Sequence, residues 1–491
     1  MIMKFKNYIL GTVVLLTTAC SNDFLQVTPE TFITSATFYK TESDFKQAVS
    51  GAYASLRDVY GDAYVMGEMR SDNTYYNYKA NDRGGQNIEK EDISGFIDNS
   101  SNVYSNRKYY SCYRGISRCN AILDRIDGSE ISATAKQTYG GEAKFLRAFY
   151  YFELVQYFGD VPLYIKEVTN QAGTAVPRSP KTDVFTQIVK DVTDASTQLP
   201  KTQSEKGRVT QGSANMLLGY IYMTLKEYAK ADAALKIVTT YGYDLLPNYA
   251  DIFKTASKNS IESIFEIQYL QGTQGLQSNW TYQFIPALEN TIVITGVAGN
   301  NQSFGGWNIP SDDLLAAYEA GDKRKEGSIA LGYTNVTGDF VSSPFTTKYL
   351  NPHTLFNNCN DDWIVYRYAD ALLLYAECLN EEGKSADALP YLNKVRTRAG
   401  LTAVNSLVQS TLRDLIAKER RVELAFENHR WLDLVRTGKA IEVMNAYGVK
   451  MKQKFSYLLP RTYSVNADKL IFPIPFDERL LNPDLTQNTG Y

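Results

Sequence analysis

Apolar residues recur along this chain at three- and four-residue spacing in block after block, the period of an amphipathic helix. The segment GEAKFLRAFYYFELVQYFGDVPL carries one stripe at Phe145, Phe149 and Phe152 and another at Leu146, Tyr150 and Tyr157. A segment apolar nearly all round predicts a buried helix, with Gly159 and Pro162 as its stop. Further on, Pro180 is expected as a first helical residue with Ser179 as cap, followed by an inner stripe of Phe185, Ile188, Val189 and Val192. Two helix–turn–helix patterns come next, far apart in the chain. In ANMLLGYIYMTLKEYAKADAALKIV, Ala214, Leu217, Leu218, Ile221 and Leu225 share a face, and Leu218, Gly219 and Tyr222 match the L-G-x2-Y core of a tetratricopeptide repeat. In YADALLLYAECLNEEGKSADALPYLNKVRTRAGL, the first helix carries Leu373, Ala376 and Glu377 and the second Ala386, Leu389 and Leu392, with a turn at Gly383. A last long helix is expected over LRDLIAKERRVELAFENHRWLDLVRTG, ended by Gly438. Its apolar face would be Leu415, Val422 and Phe426, with Glu423, Glu427, Arg420 and Arg430 pairing locally at three- or four-residue spacing. Between the helices, roughly residues 60–110 and 270–310 are rich in Tyr, Asn and Gly. They are expected to be long loops, which commonly carry binding function.

The first residues have a different pattern. Lys4 and Lys6 make a short basic start, Tyr8 to Leu16 an apolar run, and Thr17, Thr18 and Ala19 a small-residue stop before Cys20. This is the layout of a secretory signal, and the run is shorter than the ~20 residues a membrane-spanning helix needs. The stop resembles a bacterial lipoprotein box, although Thr17 stands where such boxes usually carry an aliphatic residue. The resemblance implies that the Cys20 thiol is diacylated, the chain cut before it and the new amine acylated; a plain secreted chain is the alternative. Several acyl chains at ~0.8 kcal/mol per buried methylene would anchor the protein permanently. SNDFLQVTPET, after the cysteine, is a polar tether.

Composition narrows the class. With 44% hydrophobic and 21% charged residues in 491, the chain is globular with a large core. A net charge of −3 offers no electrostatic case for nucleic acid. Cys112, Cys119, Cys359 and Cys378 are too few for a disulfide scaffold in a chain of this length. On one helix face Cys112 and Cys119 would lie ~10 Å apart, beyond the ~7 Å reach of a bridge, so they are expected to pack. Of the two histidines, His353 and His429, the latter sits in a charged helix as a structural hydrogen-bonding residue. No HExxH, metal-spaced His/Cys set, GxSxG elbow or glycine-rich phosphate loop occurs. Asp312/Asp313, Asp361/Asp362 and Glu381/Glu382 are sequence neighbours, which on a helix point apart, whereas a glycosidase needs carboxyls facing across ~5–10 Å. Asp312 and Asp313 follow Ser311 at a helix start, where acids favour the helix dipole. No catalytic residue, metal or cofactor is expected.

The 36 tyrosines change the picture more. Tyrosine stacks and also hydrogen-bonds, which suits either a polar-ligand surface or packing between helices. Ten of the 36 fall between Tyr53 and Tyr113. A sugar offers hydroxyls at its rim and C–H groups on its faces, so rings cover the faces while Asn, Asp and Arg serve the rim. SDNTYYNYK supplies Asp72, Asn73, Tyr75, Tyr76 and Tyr78; LQSNWTYQF supplies Trp280 and Tyr282; GGWNIP supplies Trp307 and Asn308. These nine residues are the expected ligand set. Trp363 and Trp431 adjoin helical core motifs and are assigned to packing.

Eight blocks, in order, resemble the SusD/RagB outer-membrane lipoproteins of Bacteroidetes: DFLQVTPET, RCNAILDRI, GEAKFLRAFYYFELVQYFGDVPL, GWNIPSDDLLAAYEAGDKR, VYRYADALLLYAECLNE, LNKVRTRAGL, ERRVELAFENHRWLDLVRTGKA and PIPFDERLLNPDLTQNTGY. The resemblance implies a mainly α fold in which four tetratricopeptide-like helical hairpins form one side. Long irregular loops with small β content would form the ligand-binding side. It implies a signal peptide over 1–19, a lipidated tether over 20–38, an N-terminal part over 39–245 and a C-terminal part over 246–491, the last two packed as one unit. It further implies a non-catalytic protein on the outer membrane, facing the cell exterior, that captures oligosaccharides or polysaccharides. A SusC-like TonB-dependent transporter would be the partner that receives them. Peptide capture with the same kind of partner, as in the RagB branch, is the alternative, and a protein-binding adaptor or a hydrolase are the other classes it competes with.

Overall fold

The computed structural model describes residues 38–491. The expected signal segment, Cys20 and the tether up to residue 37 lie outside them. The described residues are mainly α-helical, about 51% by residue with 18 α-helices and three small antiparallel ribbons. Eleven helices are of eleven residues or more: α1 (Glu42–Tyr60), α2 (Gly85–Gly95), α3 (Val103–Ile126), α4 (Ala133–Phe158), α5 (Lys181–Gln198), α6 (Gln211–Thr224), α7 (Tyr228–Val238), α8 (Tyr368–Glu381), α9 (Ser385–Arg398), α10 (Gln409–Glu423) and α11 (Ala440–Lys454). None of the described helices is long and apolar enough to cross a membrane.

The helices form where the apolar stripes predict them. α1 opens on a reciprocal cap: the Thr41 hydroxyl accepts from Asp44 N–H while the Asp44 carboxylate accepts from Thr41 N–H. α6 opens on a similar pair, Thr210 with Ser213. α4 is buried along most of its length and ends at Gly159, whose φ of +71° favours a residue without a Cβ. α5 begins at Lys181 with Pro180 as its cap residue, one position later than expected, and Asp160 accepts from Lys181 N–H at 2.8 Å. Successive helices pack on one another: α1 on α3, α3 on α4, α4 on α5, α5 on α6, α6 on α7, α7 on α8 and α8 on α9. Close approach is bought by small residues; a Cβ on Gly219 would sit 2.4 Å from Leu235, and one on Gly115 2.3 Å from Tyr150. All four described cysteines are buried and unbridged.

The ribbons pair β1 (Thr74–Tyr75) with β3 (Ile309–Pro310), β2 (Ser263–Ile267) with β6 (Trp363–Arg367), and β4 (Ile329–Thr334) with β5 (Phe340–Thr346). Every residue of β6 is buried. Its Trp363 joins the main core, with Tyr349 stacked on it at 5.3 Å and Trp280 edge-on at 5.0 Å. Trp363 and Trp431, assigned to packing, are both fully buried.

Two expectations change. The last long helix is interrupted: α10 ends at Glu423, and a separate helix runs Arg430–Arg436 before Gly438 at φ +74°. In the break, Phe426 and Asn428 have φ of +68° and +70°. Side chains distant in sequence satisfy the backbone groups that the break exposes. Glu68 accepts from Phe426 N–H at 2.9 Å and Asn428 N–H at 3.1 Å; Tyr249 and Arg367 donate to the Glu423 carbonyl; Tyr349 donates to that of Phe426. The local ion pairs are accordingly replaced by long-range ones. Glu423 meets Arg324, Arg367 and Arg398; Glu427 meets Lys348 and Arg367; Arg420 meets Asp370 and Asp433. Second, residues 60–110 are not one long loop. They contain helix Ala63–Gly67, β1, α2 and the start of α3, and much of the tract is buried.

Candidate functional site

The three ring-rich segments meet. β1 and β3 pair Thr74 with Pro310 and Tyr75 with Ile309. Asn77 N–H donates to the Gly306 carbonyl at 2.8 Å, Gly306 N–H to that of Ile285 at 2.8 Å, and Trp307 N–H to that of Gln283 at 2.9 Å. Segments 72–78, 280–285 and 304–311 are therefore tied together through their backbones. Gly306 is required at this crossing: its φ is +79°, and a Cβ there would lie 3.0 Å from the Asn77 Cβ.

The side chains divide into two layers. Asp72, Asn73, Tyr76, Trp280, Tyr282, Trp307 and Asn308 are all buried. In this conformation these seven lie beneath the surface, and other side chains form it. Most are held by protein partners, whereas the Asn308 amide and the Trp307 indole N–H have no hydrogen-bond partner among the described residues. Trp280 donates its indole N–H to the Gly61 carbonyl at 3.1 Å. Tyr282 shares a hydrogen bond of 2.7 Å with His353 Nε2. Trp307 packs against Tyr76 at 5.8 Å and has the Lys90 ammonium 4.8 Å and the Lys79 ammonium 5.4 Å from its ring centre. Burial lowers both lysines, each to about 8. Asn73 donates to Glu68 at 3.0 Å, and Asn308 lies wholly inside with φ +55°. Asp72 is clamped by two guanidiniums. Arg430 Nε and Nη2 reach its two oxygens at 2.8 and 3.0 Å, and Arg421 Nη2 lies at 2.9 Å. Burial would raise its carboxyl, but Arg430 and Arg421 outweigh that and hold it below the ordinary value.

The outer layer is made of Tyr75 and Tyr78, both half-buried, joined by two rings outside the expected set. Tyr457 stacks on Tyr78 at 4.2 Å with only 8° between planes. Phe455 lies 5.3 Å from Tyr457 and 5.3 Å from Tyr75. Arg83 caps the Tyr78 ring at 4.6 Å and is held by a bidentate pair to Glu91; Lys454 lies 5.1 Å over Tyr75 and pairs with Asp312. Asn77 is exposed beside them. The result is a row of four partly exposed rings edged by cations and an amide, which offers aromatic surface to C–H groups and polar groups to hydroxyls. Phe455 and Tyr457 escaped the sequence reading; they lie on the turn directly after α11, where Leu458 N–H donates to the Phe455 carbonyl at 3.3 Å.

Other features lie elsewhere. A cavity of about 870 Å³ opens between helices beside Phe185, Tyr222, Leu225 and Val435, and none of the nine expected residues lines it. Its Arg436 is bound to Glu377 and Asp433, and its Lys230 to Glu227. His429 shares a hydrogen bond with Tyr220 at 3.1 Å and stacks on its ring, the structural role expected of it. Ser311 caps Leu314 N–H with Asp312 and Asp313 in the first turn behind it.

Comparison with known proteins places this architecture. The chain matches the family model described as "SusD family" over residues 332–491 and the model described as "Starch-binding associating with outer membrane" over residues 23–223. The SusD-like protein P25 of Formosa agariphila is 27% identical, with all of both chains covered. The SusD-like protein P38 of the same organism is 29% identical, covering 99% of this chain and 100% of its own. Among solved structures, a laminarin binding SusD-like protein superposes with a TM-score of 0.77 at 26% identity, covering 92% of this chain and 100% of that one.

Proposed function

Because the chain belongs to the SusD family, we propose that it captures oligosaccharides or polysaccharides at the cell surface without breaking any bond. On this reading Cys20 carries the lipid anchor in the outer membrane, and a SusC-like TonB-dependent transporter receives the glycan. The observation that carries it is the row of Tyr75, Phe455, Tyr457 and Tyr78 on the surface, with Asn77 beside it. Stacked rings hold one another in place before ligand arrives, so little side-chain entropy remains to be lost on binding. Several sugar units, each weakly held, then add along one rigid surface. The buried set of Asp72, Asn73, Tyr76, Trp280, Tyr282, Trp307 and Asn308 acts beneath, fixing the segments that present the rings. The laminarin-binding relative and the starch-binding family description support a glycan as the ligand.

The test is a glycan-array screen of the full chain in detergent, repeated with Tyr78→Ala and Tyr457→Ala. Binding to at least one neutral glycan, weakened about tenfold by either change (~1.4 kcal/mol), is the expected result. Binding to peptide pools alone would move the assignment to peptide capture. Co-purification of a TonB-dependent barrel from outer membranes tests the partner.

A further inference from the structure

One turn from the ring row lies a cleft of about 450 Å³ whose charges do not balance. Its wall carries Lys418, Arg421, Arg430 and Lys450 against a single acid, Asp313, with Ala316, Ala317 and Ala417 as its remaining lining. The acids that reach these cations are Asp313, which binds Lys450, Asp72, which Arg421 and Arg430 share, and Glu319, which binds Lys418. Glu319 also serves Arg396 through both guanidinium nitrogens at 3.1 Å. Four cations therefore meet three carboxylates, one already claimed by a fifth cation. The surplus sits at the two arginines. Their Nε and Nη2 groups are spent on Asp72 and Asn73, whereas neither Nη1 has a hydrogen-bond partner among the described residues. Burial lowers the Arg421 guanidinium; Asp72 opposes this, and the like charge of Arg430 adds to it. A fixed pair of guanidiniums with unbonded N–H groups is the arrangement that binds oxyanions. The small alanine lining leaves room for the group to enter.

The cleft neighbours the ring row along two segments. Asp72 and Asn73 directly precede Thr74 and Tyr75 of β1, and Lys450 and Lys454 lie four residues apart on α11, about 6 Å along the helix. Lys454 covers Tyr75 while Lys450 lines the cleft. We propose that this cleft is an oxyanion subsite, taking the carboxylate of a uronic acid or the sulfate ester of a sulfated sugar within a glycan that lies along the rings. This rests on the capture reading and adds an acidic substrate class to it.

The experiment uses matched probes on the full chain in detergent, by isothermal titration: tetragalacturonate against its carboxyl-reduced form, and a sulfated carrageenan oligosaccharide against its desulfated form. At least one charged probe is expected to bind about tenfold or more tightly than its neutral partner, as a charge-assisted bond supplies. The gap is expected to shrink as salt rises. The pair showing the gap identifies the oxyanion. Arg421→Gln is expected to abolish the gap. Because that change also loosens Asp72, Ala417→Glu is the fold-safe variant: Ala417 is exposed on α10, and a glutamate there pairs with Arg421 one turn on. Ala417→Glu is expected to erase the gap, and Ala417→Gln, which takes the same room without the charge, to narrow it by less. Equal affinity within both pairs overturns the subsite while leaving the capture reading intact, as does a preference that survives Ala417→Glu. Binding of no glycan at all overturns the two together.

Discussion

Two regions of this molecule use the same residue types to opposite ends. Around β6 the rings of Trp280, Tyr349 and Trp363 are sealed in the core, and the guanidinium of Arg367 is enclosed by Glu262, Glu423 and Glu427. Around β1 the rings of Tyr75, Tyr78, Phe455 and Tyr457 reach solvent, and the guanidiniums of Arg421 and Arg430 share one aspartate. In the first region each charge is matched and each ring covered, so the interactions hold the fold. In the second, aromatic surface and N–H groups are left over. Aromatic or arginine content alone does not distinguish the two; the count of partners does. The largest effect is therefore expected in the first region. Arg367→Met leaves three buried carboxylates short of a cation and should cost about 5 kcal/mol, the upper range for breaking a buried pair. Urea denaturation measures it, and an unchanged midpoint would place Arg367 outside the stabilising set.

Next in size is the tryptophan that links the regions. Trp280 touches Tyr269 at 4.7 Å, Trp363 at 5.0 Å and Tyr349 at 5.7 Å. Trp280→Ala should lower stability by about 3–4 kcal/mol, the cost of a large buried cavity together with an orphaned Gly61 carbonyl. Glycan affinity measured well below the new melting point should change little. A loss of binding with full stability would return Trp280 to the ligand set.

The interior also has a pH signature. Burial pushes the carboxyls of Glu68, Glu266 and Asp361 up, each to about 7. The charge of Asp362 adds to the rise at Glu266 and Asp361. For such groups the folded state holds the proton more tightly than the unfolded one. Their contribution is complete below the unfolded value and is lost as pH rises through the folded one. Stability should therefore fall between pH 5 and 8, by on the order of 2 kcal/mol per group. Glu423, Asp433 and Glu319, held low by their arginines despite burial, are ionised in both states across that window and add no slope. Asp361→Asn should flatten the fall by about one group's share; denaturation midpoints at pH 5, 6, 7 and 8 read it, and an unaltered slope would remove Asp361 from the set.

Much of the helical scaffold was legible because each stripe is local: Phe145, Phe149 and Phe152 declare α4 without reference to anything distant. The turn at Gly383 and the close approach at Gly219 follow from residues within one hairpin. The break after Glu423 was not legible, since its cause is Glu68, Tyr249, Tyr349 and Arg367, which arrive from far along the chain. The same limit applied to the site. That segments 72–78, 280–285 and 304–311 are each ring-rich was legible, but that they meet was not, since the paired strands β1 and β3 lie far apart in the chain. Which rings end inside was decided by lysines and carbonyls that reach them only in three dimensions. Arg430 had acids at local spacing, so its partnership with Asp72 could not be read from the helix pattern.

The smallest stability effect carries the sharpest contrast. Tyr78 is half-buried, stacked on Tyr457 and capped by Arg83. Tyr78→Ala removes one exposed stack, worth about 0.5–1.5 kcal/mol beyond burial, and opens no cavity. Its cost to stability should be about 1 kcal/mol, several times less than that of Trp280→Ala. Its cost to glycan affinity should be about tenfold, which Trp280→Ala should not approach. Thermal denaturation and titration on the same two proteins therefore give opposite rankings if the outer rings touch the ligand and the inner ones support them. Matching rankings would mean that binding follows fold integrity alone, and the division into two layers would then have no functional content.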